Sequence, residues 1–311
     1  MANAINRPMT ATEWGLLIAL ALLWGATFFF VEVALVELGP WTLVLARVGL
    51  AAGALLIAAG MLGHRLPLDG QSLRAFLVMG LLNNALPFSL IFWGQTEITG
   101  GLAAVLNATT PVFTVLLAHV VTADEKLTPG RLGGVAAGIA GVAVMVGPDA
   151  LRGVGLGALA QFAVLGAALC YAVAGLYGRR FRAQPALVTA AGQATAATLL
   201  MAPAALVVER PWTLPVPGLA TIGAVAGLAL ASTALAYVLY FRILKTAGAT
   251  NLLLVTLLIP VAAIALGTAI LGEIVTARQL AGFAIIALGL GLIDGRPARA
   301  LRWRGGRPGR A

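Results

Sequence analysis

The sequence predicts an all-α integral membrane protein whose ten transmembrane helices form two inverted five-helix repeats. Three observations predict it: a composition with too little polar surface for water, ten apolar stretches of spanning length, and a match of the chain to itself. Of 311 residues, 60% are hydrophobic and 10% charged, and the mean hydropathy is +0.99. Lipid rather than water is therefore the main solvent. An unpaired backbone amide in hydrocarbon costs several kcal/mol, so only helices and closed barrels span. The apolar runs here far exceed the about ten residues of a barrel strand, which leaves helices.

The apolar stretches fall at about 12–32, 41–61, 73–95, 100–121, 131–147, 156–177, 186–207, 218–241, 250–271 and 278–293. The first is longer than the core of a signal peptide and lacks a small-residue cleavage site, so it reads as a retained span. The two glycine-rich stretches, 131–147 and 278–293, are the shortest. Basic residues are retained on the cytoplasmic side. Alternate connectors separate them sharply: Arg7, Arg65, Arg74, Lys126, Arg131, Arg179, Arg180, Arg182, Arg242, Lys245 and the arginines of the tail fall in one set, whereas the other holds only Arg152, Arg210 and Arg278. Both termini are accordingly expected in the cytoplasm. The net charge of +9 reflects this topology and does not point to nucleic acid, because no soluble segment carries it.

The internal match appears when Pro111 is laid on Pro260. Asn84 then meets Thr233, Phe88 meets Tyr237, and Asn107 meets Thr256. After a one-residue slip, Glu125 meets Glu273, Gly134 meets Gly282, and Gly141 meets Gly289. The repeats are 12–147 and 155–294, followed by a basic cytoplasmic tail, 295–311. Five spans is an odd number, so the halves must lie in opposite orientation. An inverted repeat places a shared cavity near the bilayer midplane, as in many secondary transporters.

Leu22-Leu23-Trp24-Gly25, Arg47, the run Gly101-Leu102-Ala103-Ala104 leading to Thr110-Pro111, and the stretch from Pro260 to Gly272-Glu273 together resemble the EamA family of the drug/metabolite transporter superfamily. The resemblance covers about residues 12–294 and rests on the order, spacing and duplication of these motifs. It implies a ten-span basket of two inverted repeats that exports amino acids or other small metabolites across the bacterial inner membrane. The chain departs from the family pattern at Ala123-Asp124-Glu125, where Gly-Glu is usual, and at Cys170-Tyr171, which stands where span one has Trp24-Gly25.

A polar side chain inside a span faces protein or a wet cavity, because lipid offers it no partner. Asn84, Phe88 and Ile91 share one helix face, and Thr233, Tyr237 and Tyr240 share another at the same spacing. The duplicated polar and aromatic pairing suggests two walls of a substrate cavity, with helix packing as the alternative. Asn107 and Thr256 precede Pro111 and Pro260 by four residues. They either contact substrate or satisfy carbonyls freed at proline kinks, and those kinks are candidate gates. Trp24 and its counterpart Tyr171 are cavity-wall or packing residues. Arg47, about two turns inside span two, calls for an acceptor; Glu32 or Glu37 suits a structural ion pair, the preferred reading over recognition of a substrate carboxylate.

No acid sits at the centre of a span, which disfavours a dedicated proton relay and favours facilitated diffusion or loosely coupled exchange. Gly134 and Gly138 form a G-x-x-x-G pair suited to close packing within a monomer, with a homodimer face as the alternative. The tail arginines suit anionic membrane lipid. The motifs of metalloproteases, P-loop enzymes and serine hydrolases are missing, and the aspartates are scattered. The single cysteine, Cys170, rules out a disulfide framework within the chain and a zinc site built on cysteine pairs. The sequence therefore predicts a secondary transporter of small molecules with no cofactor, no metal and no catalytic residues. A non-transporting scaffold or receptor, or an intramembrane enzyme, is the alternative.

Overall fold

A computed structural model describes residues 9–121, 128–146, 155–181, 183–247, 249–252 and 254–294. The expected pairing of Glu125 with Glu273 and the basic tail 295–311 lie outside these residues. The chain runs through helices α1 (Ala11–Leu35), α2 (Pro40–Met61), α3 (Gly70–Gly94), α4 (Gly100–Val121), α5 (Pro129–Val146), α6 (Leu156–Phe181), α7 (Ala186–Glu209), α8 (Leu219–Tyr240, continuing to Ala247), α9 (Val255–Leu271) and α10 (Ala277–Asp294). Among the described residues, α1 to α4 and α6 to α8 are the seven helices long and apolar enough to cross a membrane. The others are apolar but shorter. The ninth predicted stretch, 250–271, divides into a short helix, Ala249–Leu252, and α9.

Local chemistry starts the helices where the sequence changes from turn to apolar residues. Thr10 and Glu13 form a capping box: the Glu13 amide donates to Thr10 Oγ1 at 3.3 Å, and the Thr10 amide donates to Glu13 Oε2 at 2.8 Å. Asp69 Oδ1 accepts from the amides of Gln71 and Ser72, and Pro40 supplies a preset φ at the first position of α2.

Packing between the halves follows an exchange pattern. Helix α1 lies on α8 and α9, while α6 lies on α3 and α4; α2 lies on α7 and α8, while α7 lies on α2 and α3. Helices α5 and α10 pair with each other through glycines. A Cβ on Gly134 would lie 2.5 Å from the Gly289 carbonyl oxygen, and one on Gly141 would lie 2.8 Å from that of Gly282. No side chain but hydrogen fits between these backbones. Gly138 is covered within the chain as well, since a Cβ there would meet Val112 Cγ2 at 2.6 Å.

Two segments depart from α geometry at matching places. The π-wound turn Leu81–Ala85 of α3 corresponds, at the Pro111 to Pro260 shift, to part of Gly227–Leu235 in α8. They carry Asn84 and Thr233. In α8 the Thr233 hydroxyl donates to the Leu228 carbonyl five residues back at 2.8 Å. A widened turn leaves carbonyls available in this way, and such turns recur at functional sites.

Candidate functional site

The centre of the bundle holds a guanidinium. Arg47 of α2 is 5% exposed; its Nε donates to Thr233 Oγ1 of α8 at 3.2 Å, and its Cζ lies 3.9 Å from the centre of the Phe88 ring of α3. Phe92, one turn further along α3, stacks on Phe88 with centroids 6.0 Å apart. Tyr171 of α6 packs against the apolar cluster that contains Phe88 and Phe92, and Tyr237 lies one turn beyond Thr233 on α8. Four helices, two from each half, therefore converge on this region. The ring face and the hydroxyl replace part of the hydration that the cation has lost.

A hydrogen-bonded chain runs beside it. Asn83 Nδ2 donates to Gln193 Oε1 at 3.1 Å, and Gln193 Nε2 donates to the Tyr237 hydroxyl at 3.1 Å, which fixes the Tyr237 ring between α3 and α7. Asn84 is 4% exposed, yet no hydrogen bond reaches its side chain among the described residues. Gln193 and Asn83 were not singled out from the sequence. A lone glutamine in the apolar run of α7 was the available signal, because intramembrane polar groups mark functional sites.

The expected ion pair between Arg47 and Glu32 does not form. Glu32 lies at the end of α1, where its Oε2 accepts from the Gly100 amide at 3.1 Å. The same amide donates to Glu273 Oε1 at 2.9 Å, and the Gly101 amide donates to Glu273 Oε2 at 3.2 Å. The positive N-terminus of α4 thus outbids the distant arginine for both carboxylates. Glu37, the other expected partner, accepts from the Gly218 amide at 2.8 Å. Glu209 closes the remaining junction by accepting from the amides of Trp41 at 3.0 Å and Thr42 at 2.6 Å. Partial burial, with the hydrogen bond and charge of Glu32, pushes Glu273 up to about 7 against the opposing pull of the glycine amides. Thr221 and the Gly218 amide hold Glu37 below the usual carboxylate range.

Phe88, Thr233, Tyr237 and Tyr171 thus come together. Trp24 and Tyr240 face each other across α1 and α8, centroids 5.8 Å apart, in an apolar cluster with Leu20 and Val255. Gly25 explains the rest of that motif, since a Cβ there would lie 2.5 Å from the Ala262 Cβ of α9.

The expected symmetric proline kinks differ from each other. In α4 the helix breaks at Ala108–Thr109, just before Pro111. The Thr109 and Thr110 hydroxyls donate to the carbonyls of Leu106 and Asn107 at 2.6 and 2.8 Å. In α9, Pro260 lies inside the continuous helix Val255–Leu266. Leu258 and Ile259 replace the two threonines there and have no hydroxyl with which to support a break. Asn107 does not satisfy the kink: among the described residues its Nδ2 donates to no carbonyl, and its Oδ1 is buried without a partner. Among the described residues, Asn107 makes no hydrogen bond to Arg47, Asn83 or Gln193.

Comparison with known proteins bears on what this arrangement does. The model of the EamA-like transporter family matches residues 13–147 and again 158–293. The chain is 29% identical over 285 residues to the uncharacterized inner membrane transporter YedA of Escherichia coli, covering 90% of each. It is 30% identical over 268 residues to the protein PecM of Dickeya dadantii, covering 85% of this chain and 86% of that one. A shorter match, 34% over 137 residues, covers 44% of this chain and 45% of a probable terminal-alkyne amino-acid exporter of Streptantibioticus cattleyicolor. A solved crystal structure, 19% identical and covering 92% of this chain and 98% of its own, shares the fold with a TM-score of 0.66.

Proposed function

The chain belongs to the EamA-like transporter family, and from that premise we propose that this multi-pass membrane transporter is a secondary exporter of small amphipathic metabolites, amino acids foremost, working by alternating access. The single observation that carries the reading is the buried contact of Arg47 and Phe88 from one half with Thr233 from the other. Side chains 186 positions apart meet where neither lipid nor bulk water reaches. Aromatic faces for the apolar part of a solute and amide or hydroxyl groups for its polar part form such a site. The amino-acid exporter among the relatives supports the choice of solute.

Ten spans in two inverted repeats are part of the proposal. The exchange pattern of helix contacts supports it, as do the two matches of the family model. The glycine contacts support it most directly. If Gly134 is equivalent to Gly282 and Gly141 to Gly289, a twofold axis in the membrane plane requires the contacts Gly134 with Gly289 and Gly141 with Gly282, the two pairs described above. The distribution of basic residues over the connectors supports cytoplasmic termini, and with that orientation the Glu32, Glu37, Glu209 and Glu273 clamps lie at the outer end of the bundle.

The test is counterflow in proteoliposomes with a panel of amino acids, amines and nucleosides, with Asn84→Ala and Tyr237→Ala as site variants. Saturable flux of at least one amino acid is expected, with both variants impaired. Absence of flux across the panel would return the protein to the class of scaffolds, and unchanged affinity in both variants would place the site elsewhere.

A further inference from the structure

Among the described residues the cation at the centre has no anion. Only its Nε–H is hydrogen-bonded, to Thr233, and among the described residues no carboxylate pairs with it. Of the acids at the nearer end of the bundle, Glu32 and Glu273 are held on the Gly100 and Gly101 amides, Glu37 on Gly218, and Glu209 on Trp41 and Thr42, while Glu97 is exposed. An uncompensated buried charge is among the most costly features a fold can keep, and the Phe88 face and one hydroxyl offset only part of it. Such a charge makes physical sense when its counter-ion arrives with a ligand.

We infer that Arg47 is the recognition group for a carboxylate on the transported solute, an inference that rests on the transporter reading. With Nε taken by Thr233 and Cζ held 3.9 Å from the Phe88 ring centre, the two terminal nitrogens remain for a carboxylate, which they match through two parallel hydrogen bonds. Asn84, buried and without a hydrogen bond, lies one turn before Phe88 on α3 and is placed for the solute's other polar group. The Phe88 and Phe92 rings and the phenols of Tyr171 and Tyr237 supply apolar walls. The site therefore selects solutes bearing one carboxylate beside an apolar or aromatic body, and it rejects the corresponding amines and esters.

Two measurements on the full chain test this. In the first, phenylalanine, its methyl ester and phenethylamine, with the same three forms of leucine, compete in counterflow in phosphatidylcholine liposomes. The wild type is expected to prefer the carboxylate form by about tenfold or more, and Arg47→Gln and Arg47→Lys are expected to abolish that preference by raising KM. A preference kept within about twofold by both variants overturns the inference.

The second measurement follows thermal unfolding in detergent as phenylacetate is titrated at constant ionic strength. The wild type should be stabilised and Arg47→Gln should not. Stabilisation by phosphatidylglycerol with none by phenylacetate assigns the cation to a lipid phosphate and overturns the inference. If Arg47→Gln fails to fold, Thr233→Val keeps the charge and removes its anchor; it should weaken the phenylacetate response several-fold, and an undiminished response counts against the site. Flux without carboxylate preference defeats this inference alone. Arg47-dependent carboxylate binding without flux defeats the transporter reading alone, and neither flux nor binding defeats both.

Discussion

One end of the bundle and its centre handle charge in opposite ways. At the end, each of Glu32, Glu37, Glu209 and Glu273 accepts a backbone amide where a neighbouring helix begins or is about to begin, so helix N-termini that would lack acceptors and carboxylates that would lack donors satisfy one another. At the centre, Arg47 receives a hydroxyl and a ring and no charge of opposite sign among the described residues. The contrast separates charges that hold the fold from one that the fold merely tolerates.

The comparison breaks most readily at Arg47. Arg47→Glu sets an unpaired carboxylate against the negative face of Phe88 and should abolish folded protein, as judged by size-exclusion chromatography. Arg47→Met keeps the apolar stem and removes the charge. Its melting temperature should match or exceed the wild type's, because replacing buried charge by apolar volume is often neutral or stabilising by about 1–4 kcal/mol. A collapse of Arg47→Met comparable to that of Arg47→Glu would show that the fold depends on the cation.

At the other side of the comparison, Glu209→Ala leaves the Trp41 and Thr42 amides without their acceptor and should cost about 1–2 kcal/mol, read as a lowered melting temperature. No loss would mean that water caps α2 equally well. A smaller effect is expected from pH. Glu273, raised to about 7, binds its proton more tightly in the folded chain than in the unfolded one. Its contribution is therefore complete below the ordinary carboxylate value and is lost as pH rises through about 7. The melting temperature should fall between pH 5 and pH 8. Glu32→Gln removes the like charge and should flatten that fall, whereas parallel curves would remove Glu32 from the account.

Much of this was legible from composition and spacing. The apolar stretches located the helices to within a few residues, because spanning length and turn chemistry are local properties. Helical spacing put Phe88 on one candidate face and Thr233 and Tyr237 on another, and the structure brings Phe88 and Thr233 together at Arg47. What failed was the choice of partners. Glu32 lies at a depth that suited Arg47, but the start of α4 competes for the same carboxylate, and only tertiary placement decides that competition. Trp24 and Tyr240 fitted the cavity by type, yet they meet each other across α1 and α8. The two prolines aligned, but the hydroxyls that support a break lie beside only one of them. Gln193 escaped notice because it was one amide in a long apolar run with no repeat partner, and Asn83 because attention fell on the face carried by its neighbour Asn84.

The π-wound turns were invisible to a reading that assumes a uniform helical period. Such a turn is what a helix becomes when it absorbs one additional residue without breaking. Leu81–Ala85 accommodates one residue more than an α-turn would, and it presents Asn83 to Gln193 while Phe88 lies against Arg47. A relative lacking that residue would be α-helical throughout its third span, and its alignment with this chain would carry a one-residue gap there. Such gaps would sort the family by how the site is aimed, independently of which side chains line it.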